Sequence, residues 1–341
     1  MRRCGDGAAW EGEAMRVLVT GAGGFVGASA VRTLAEADPA VRIVAADAAA
    51  PDGAAAAHWA PVADRVETAA LDVRDRAAVR ALVEASAPTH VVHLAAVTPS
   101  PEEERADPLR VLDVNLGGAF NVLDAATSRP GVRRVPCFGS TAIFGGARSL
   151  PDPIEEETPA APAVLYGMTK AALETIVPRF GQLRGVETAC LRLAAVYGPL
   201  ERPTGSRTSA RMSQIRRLVE ALAARRPVSV HGPDALRDWT HGDDVAGAIA
   251  ALVLANRMSH GVYNVSCGVP VGWHGVQAAF AARGLEIAQA PTAEAADVAM
   301  SAAEGRPPMS IARIADDAGW RPRYPRFEDG LDATLAALGI G

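Results

Sequence analysis

Apolar residues recur along this chain in two alternating rhythms. Short, nearly unbroken apolar runs read as buried strands: Arg16–Thr20, Val41–Ala46, Val66–Leu71, His90–Ala96 and Arg134–Gly139. Between them apolar positions return every three or four residues, the period of one helix face. Val26, Ala30, Val31 and Leu34 share such a face, and similar stretches cover residues 76–86 and 109–127. A parallel strand pair needs a long crossover, so strands alternating with helices predict an α/β fold with a doubly wound parallel sheet. Residues 201–341 are expected to form mainly a smaller substrate-binding part, built from about 200–233, 262–274 and 290–327, with a final helix over 327–338. The stretch 235–258 is expected to return to the main sheet. Residues 1–14 are polar and small and read as a flexible extension ahead of Met15.

The first strand runs into Gly21-Ala-Gly-Gly24-Phe-Val-Gly27 and then a helix. In a strand–turn–helix of this kind each glycine has its own reason. Gly21 permits the tight turn, and Gly24 lets the backbone approach a pyrophosphate. Gly27 lets the helix lie close to the strand, so that the helix N-terminus faces the phosphates. The second strand ends at Asp47, 20 residues after Gly27, where an acid accepts hydrogen bonds from adenosine ribose hydroxyls. Asp47 also repels a 2′-phosphate, and no arginine lies in the glycine turn or just after Asp47, so NAD is expected rather than NADP. Ala95 and Ala96 follow the fourth strand, where bulkier side chains would block a cofactor. These features make residues 15–200 a Rossmann-type NAD-binding domain.

Composition adds exclusions. A hydrophobic content of 49% with net charge −5 describes an ordinary globular protein with no basic surplus for nucleic acid or a membrane surface. No apolar run reaches the roughly 18 residues of a membrane span. Cys4, Cys137, Cys190 and Cys267 lack metal or disulfide spacing, which points to a reducing, cytoplasmic setting. His90 and His93, three apart on a strand, face opposite sides, so no metal site is expected. One position stands out: among 34 basic residues the only lysine is Lys170, four residues after Tyr166. An ammonium is a compact point charge that a planar guanidinium cannot replace. Four residues apart on a helix, the two side chains share a face. The nearby positive charge is expected to pull the tyrosine pKa down from about 10, and oxidised nicotinamide adds a second, so that Tyr166 takes a proton from a substrate hydroxyl while hydride leaves the same carbon.

With these residues assembled, the chain resembles the extended short-chain dehydrogenase/reductase family, the NAD-dependent sugar epimerases and dehydratases. The resemblance is carried in order by TGAGGFVG (20–27), LDVRD (71–75), HLAA (93–96), NLGGAFNVL (115–123), GSTAIFG (139–145), YGMTK (166–170), LRLAAVYGP (191–199), RDWTHGDDVA (237–246), YNVSCG (263–268) and AGWRPRY (318–324). It implies that Lys170 also bonds the nicotinamide ribose and that Ser140, with Thr141 as the neighbouring hydroxyl, orients the reacting oxygen. Further cofactor contacts are implied at Phe25, Val26, Asp72, Val73, Leu94, Asn115 and Leu193, and substrate contacts at Thr98, Ser140, Thr141, Arg237 and Arg306. A homodimer through the Asn115 and Tyr166 helices is also implied.

Departures from the family pattern narrow the chemistry. Dehydratases carry an acidic pair where this chain has Ala142 and Ile143, so dehydration is not expected. Members acting on sugar nucleotides usually carry an asparagine where this chain has Ala194-Ala195. The substrate is expected to be a sugar-type small molecule, with nucleotide-sugar epimerisation and oxidation of a free sugar or sugar acid as the two readings. A sensor that binds NAD without turnover is the rival of another class, although such relatives usually lose the Tyr/Lys pair. Residues 98–108 read as a loop over the active-site mouth, its glutamates solvated. Arg202 and Arg207 are further candidates for an anionic tail, and His241, Asp243 and Asp244 are expected to brace a loop.

Overall fold

The computed structural model describes residues 14–49, 53–202 and 213–341. Arg207 and all but the last residue of the 1–14 extension lie outside the described residues. Seven parallel strands form the central sheet: β1 (Arg16–Thr20), β2 (Arg42–Asp47), β3 (Val66–Ala70), β4 (His90–His93), β5 (Arg134–Ser140), β6 (Glu187–Leu193) and an edge strand, Val262–Val265. From that edge the order is Val262–Val265, β6, β5, β4, β1, β2, β3, so the chain reverses its direction of travel between β1 and β4. Alternate residues of each strand face opposite sides. Val17, Val19, Val92, Leu191 and Leu193 enter a core with the helices Phe25–Ala37 and Gly242–Leu254. Leu18, Val91, Val135 and Cys190 face the other way, onto Arg76–Ser86, Ala119–Ser128 and Leu165–Arg184. Each fully buried valine or leucine contributes about 1.5–3 kcal/mol.

Two sequence expectations need correction. Residues 262–265, expected in the substrate part, pair with β6 in parallel register and complete the main sheet. Tyr263, Asn264 and Val265 are all buried, as suits a strand covered on both faces, and the Asn264 amide donates to the Ile154 carbonyl at 3.1 Å. Residues 98–108 are not an open loop. Ser100 and Glu103 form a reciprocal capping box, with Pro101 in the first helical turn, and start the helix Pro101–Ala106. A second helix, Pro108–Leu112, follows at once, capped by Asp107. The predicted helix over 109–127 is present but changes pitch: residues 113–118 form a π-helical turn around Asn115 before Ala119–Ser128 resumes.

A third core joins Tyr197, Leu218, Trp239, Trp273, Phe280, Phe327 and Leu331 beneath the C-terminal segments. It carries a three-stranded parallel sheet of Val228–His231 flanked by Ile287–Gln289 and Val298–Ala299. The pair Ala195–Tyr197 and Trp239–His241 joins this part to the end of β6. His241 caps the helix Gly242–Leu254 through the Asp243 N–H and meets the Thr334 hydroxyl at 3.1 Å. Asp244 accepts from the backbone N–H groups of Arg323 and Tyr324 at 2.6 and 3.1 Å. These residues therefore brace the loops around them.

Candidate active site

The glycine turn closes because its glycines have no Cβ. Gly21 has φ +71, and a Cβ there would stand 2.6 Å from the Ala95 nitrogen. A Cβ on Gly27 would stand 2.0 Å from the Gly21 carbonyl oxygen, so the first helix rests directly on the turn. Asp47 holds the turn from the side: Oδ2 accepts from the Gly23 N–H at 2.9 Å, and Oδ1 accepts from the Ala48 N–H at 2.7 Å. The result is a cleft of about 580 Å³ lined by Gly21, Gly24, Asp47, Val73, Leu94 and Ala95, among others. It opens at the carboxyl ends of β1 and β4, the point where the strand order reverses and where such sheets bind ligands. Its volume lies within the roughly 300–1,000 Å³ of ligand pockets.

Not every nominated cofactor residue faces this cleft. Ala96 and Val73 line it. The Asp72 carboxylate instead pairs with the Arg74 guanidinium at 2.6 Å, which holds it below the usual carboxylate pKa. Leu193 and Val26 belong to the core, and the Phe25 ring packs beside Gly198 and Gly242. Asn115 is buried and clamps Val97, accepting from its N–H at 2.8 Å and donating to its carbonyl at 3.0 Å. It also reaches the Thr169 hydroxyl at 3.4 Å, so it ties the segment after β4 to the tyrosine helix. The sequence reading missed Arg74 and Arg110, which line the cleft.

The structure brings Ser140, Tyr166 and Lys170 together at the end of β5. Ser140 ends the strand and caps a short turn, its hydroxyl accepting from the Ala142 N–H at 3.1 Å. Lys170 is buried and donates to the Phe138 carbonyl at 3.0 Å, its Nζ 5.7 Å from the Tyr166 ring centre. Gly167 lets the tyrosine helix press against the serine turn: a Cβ there would stand 2.5 Å from the Ala142 carbonyl oxygen. The helix start has no cap of its own, and Glu104 supplies one from the Pro101–Ala106 helix, accepting from the Leu165 N–H at 3.2 Å. Both residues escaped the sequence reading. The Ser-x-x-Glu pattern at Ser100–Glu103 was the signal that could have placed Glu104 on a helix.

In the protein by itself the tyrosine pKa is raised, not lowered. Burial pushes the Tyr166 phenol up to about 12, with the hydrogen bond to Ser140 working the other way. Burial likewise pushes Lys170 down to about 8. In both groups desolvation of the charged form is the largest cause. His93 is held neutral: burial takes it down to about 3, and Nδ1 pairs with the Thr20 hydroxyl at 2.8 Å.

Ser140 and Thr141 also open onto a second pocket of about 230 Å³, walled by Ala142, Ala194, Arg237 and Arg306. Arg237 stacks over Trp239 at 4.6 Å and pairs with Glu304 at 3.0 Å. Arg306 donates through Nη1 to the carbonyls of Ala303 and Gly305 at 2.6 and 2.7 Å. Thr98 is exposed and does not line this pocket.

A family profile described as NAD dependent epimerase/dehydratase family matches residues 17–266. The chain belongs to this family. A UDP-glucose 4-epimerase from Azospirillum brasilense is 28% identical over 335 residues, covering 94% of this chain and 91% of that one. A GDP-6-deoxy-D-mannose reductase from Pseudomonas aeruginosa is 32% identical over 257 residues, covering 73% of this chain and 80% of its own. Among solved structures, the UDP-glucose 4-epimerase of Thermus thermophilus in complex with NAD superposes with TM-score 0.74 at 27% identity, covering 94% of this chain and 98% of that one. The cofactor of this epimerase/dehydratase family is NAD. The glycine cleft fits it: the backbone lies bare where a pyrophosphate approaches, and a carboxylate stands at the end of β2. Among the described residues no helix is long and apolar enough to cross a membrane.

Proposed function

We propose that this chain catalyses NAD-dependent hydride transfer at a secondary hydroxyl of a sugar-type substrate, in the manner of a nucleotide-sugar epimerase, with Ser140, Tyr166 and Lys170 as the catalytic residues. The observation that carries this reading is the convergence of those three side chains beside a cleft suited to NAD. Bound NAD supplies the hydride acceptor and, when oxidised, a positive charge near the site. Ser140 hydrogen-bonds the reacting oxygen and fixes its direction. Tyr166 takes the hydroxyl proton as the C–H hydride departs, leaving a ketone and reduced cofactor. In epimerisation the hydride returns to the opposite face and Tyr166 gives the proton back, so no net redox change remains. At rest Tyr166 is protonated, which suits the proton-donating direction; the proton-accepting direction needs the added positive charge. Lys170, held by the Phe138 carbonyl, orients the nicotinamide ribose.

A second reading is favoured by Ala142, Ala194 and Ala195, which line the second pocket without a donor or a proton-transfer group. It is NAD-dependent oxidation of a free sugar or sugar acid. Mixing the protein with NAD and either UDP-sugars or free sugars and sugar acids separates the two. Interconversion of UDP-sugars without net reduced cofactor supports epimerisation, whereas reduced cofactor accumulating with a free sugar or acid supports oxidation. No turnover on either panel refutes the hydride-transfer proposal and leaves an NAD-binding sensor. We also infer a homodimer in the cytoplasm; the pairing is supported by the exposed apolar residues Leu109, Val164, Met168 and Leu183 on or beside the helices expected to pair.

A further inference from the structure

The second pocket contains an incomplete recognition device. Arg306 has Nη1 committed to its own loop through the Ala303 and Gly305 carbonyls. Its Nε is buried and has no hydrogen-bond partner, and among the described residues its Nη2 bonds nothing. A guanidinium held through Nη1, with Nε and Nη2 unpartnered, has two parallel donors unmet, the fork that a carboxylate fills with two bonds. An orphaned buried donor costs roughly 1–3 kcal/mol until an acceptor arrives.

The other charges around the pocket do not fill this edge. Glu304 is taken up by Arg237, by the Gln214 amide at 2.9 Å and by the Ser301 N–H at 2.9 Å. Asp238 is buried and accepts from the Thr240 and Ser266 hydroxyls and from the Cys267 N–H. Both carboxylates are engaged elsewhere, and neither bonds Nε or Nη2 of Arg306. The same pocket holds Ser140 and measures about 230 Å³, below the roughly 300 Å³ at which pockets for drug-sized ligands begin.

We infer that the substrate is a compact sugar acid whose own carboxylate docks on the Nε–Nη2 edge of Arg306, within the small pocket that also presents the Ser140 hydroxyl to the reacting oxygen. The inference deepens the second reading of the function and rests on the hydride-transfer assignment only for the position of the reacting carbon. It makes Arg306 a specificity-determining residue. Ala194 and Ala195 complete the enclosure with methyl groups, where a longer polar substrate would need donors.

Calorimetric titration separates this inference from the function itself. The background is Tyr166→Phe with saturating NAD, which binds without turning over. The titrants are glucuronate, galacturonate, gluconate, galactonate, the neutral hexoses and UDP-galactose. At least one acid is expected to bind, and Arg306→Gln is expected to weaken it tenfold or more, while Arg306→Lys keeps the charge without the fork and falls between. Thermal unfolding of the variants checks that they are folded, and Arg306→Lys carries the test if Arg306→Gln is not. Arg306-dependent acid binding with no turnover by the wild-type protein sustains this inference and refutes the hydride-transfer proposal. Tyr166-dependent turnover of UDP-sugars, with acids unbound or insensitive to Arg306, overturns this inference and leaves that proposal standing.

Discussion

Replacing Gly167 by alanine sets two physical effects against each other. By helix propensity alone, alanine in place of glycine stabilises a helix by up to about 1 kcal/mol. At this position the new Cβ would lie 2.5 Å from the Ala142 carbonyl oxygen, 3.1 Å from its carbon and 3.2 Å from the Pro162 Cβ. Carbon–oxygen contacts of the weak hydrogen-bonded kind settle at about 3.3–3.6 Å, so the helix and the serine turn must separate by about 0.8 Å. The obstacle is backbone and cannot rotate aside. Overpacking of this kind costs about 1–3 kcal/mol, which exceeds the propensity gain and predicts a net loss of up to about 2 kcal/mol. The functional cost is larger, because Ser140 lies two residues before Ala142 and Tyr166 is next to Gly167. A misplacement of about 1 Å costs about 10²-fold in rate. Gly167→Ala is therefore expected to lower kcat/KM by roughly 10- to 100-fold and lower the thermal midpoint by a few degrees. NAD affinity should be nearly unchanged. Steady-state kinetics, thermal unfolding and NAD titration on the same preparation provide the check. A raised midpoint with turnover within about threefold of wild type would refute the steric argument.

Two further perturbations test other parts of the account. Asp47→Ala removes the acceptor for the Gly23 N–H as well as the repulsion of a 2′-phosphate; charged hydrogen bonds contribute about 1.5–3 kcal/mol, so NAD should bind tenfold or more weakly in fluorescence titration and its advantage over NADP should shrink. Equal NAD affinity in the variant would contradict that role. Lys170→Met tests the buried ammonium: its pKa is about 8 in the folded protein against about 10.4 in an unfolded chain, so the unfolded state binds the proton more tightly. The charge therefore lowers native stability below pH 8, and that cost lifts as pH rises from 8 to about 10.4. Denaturant unfolding without cofactor should show wild type gaining on the variant across this window, by no more than about 3 kcal/mol; a flat difference would count against the burial argument.

Much of the fold was legible because its signals are local. The strand β1 and the helix over 76–86 follow from apolar period alone, and Gly21, Gly24 and Gly27 announce the turn by spacing. The register of Val262–Val265 was not legible, since a short apolar run does not say which sheet it joins. The helix over residues 101–106 was hidden by its charge: three consecutive glutamates suggested solvation, although Ser100 and Glu103 held the capping pattern. Gly167 and Glu104 act through partners 25 and 61 residues away in sequence, and no periodicity reports such a contact. The raised pKa of Tyr166 in the protein alone was hidden for a related reason. Spacing showed the lysine, but only packing shows that both groups are buried, so that desolvation raises the phenol and lowers the ammonium. Asn115 was nominated from the motif alone, and only the fold shows that its amide clamps Val97.

The central claim is that Tyr166 exchanges the proton while hydride moves to or from NAD. Its most direct test is single-turnover formation of reduced cofactor by wild type and Tyr166→Phe, with NAD affinity measured alongside. The account predicts that the variant binds NAD as wild type does and transfers hydride about 10²- to 10⁴-fold more slowly, the usual contribution of a positioned acid–base group. Hydride transfer at the wild-type rate in Tyr166→Phe, with the cofactor bound, would contradict it.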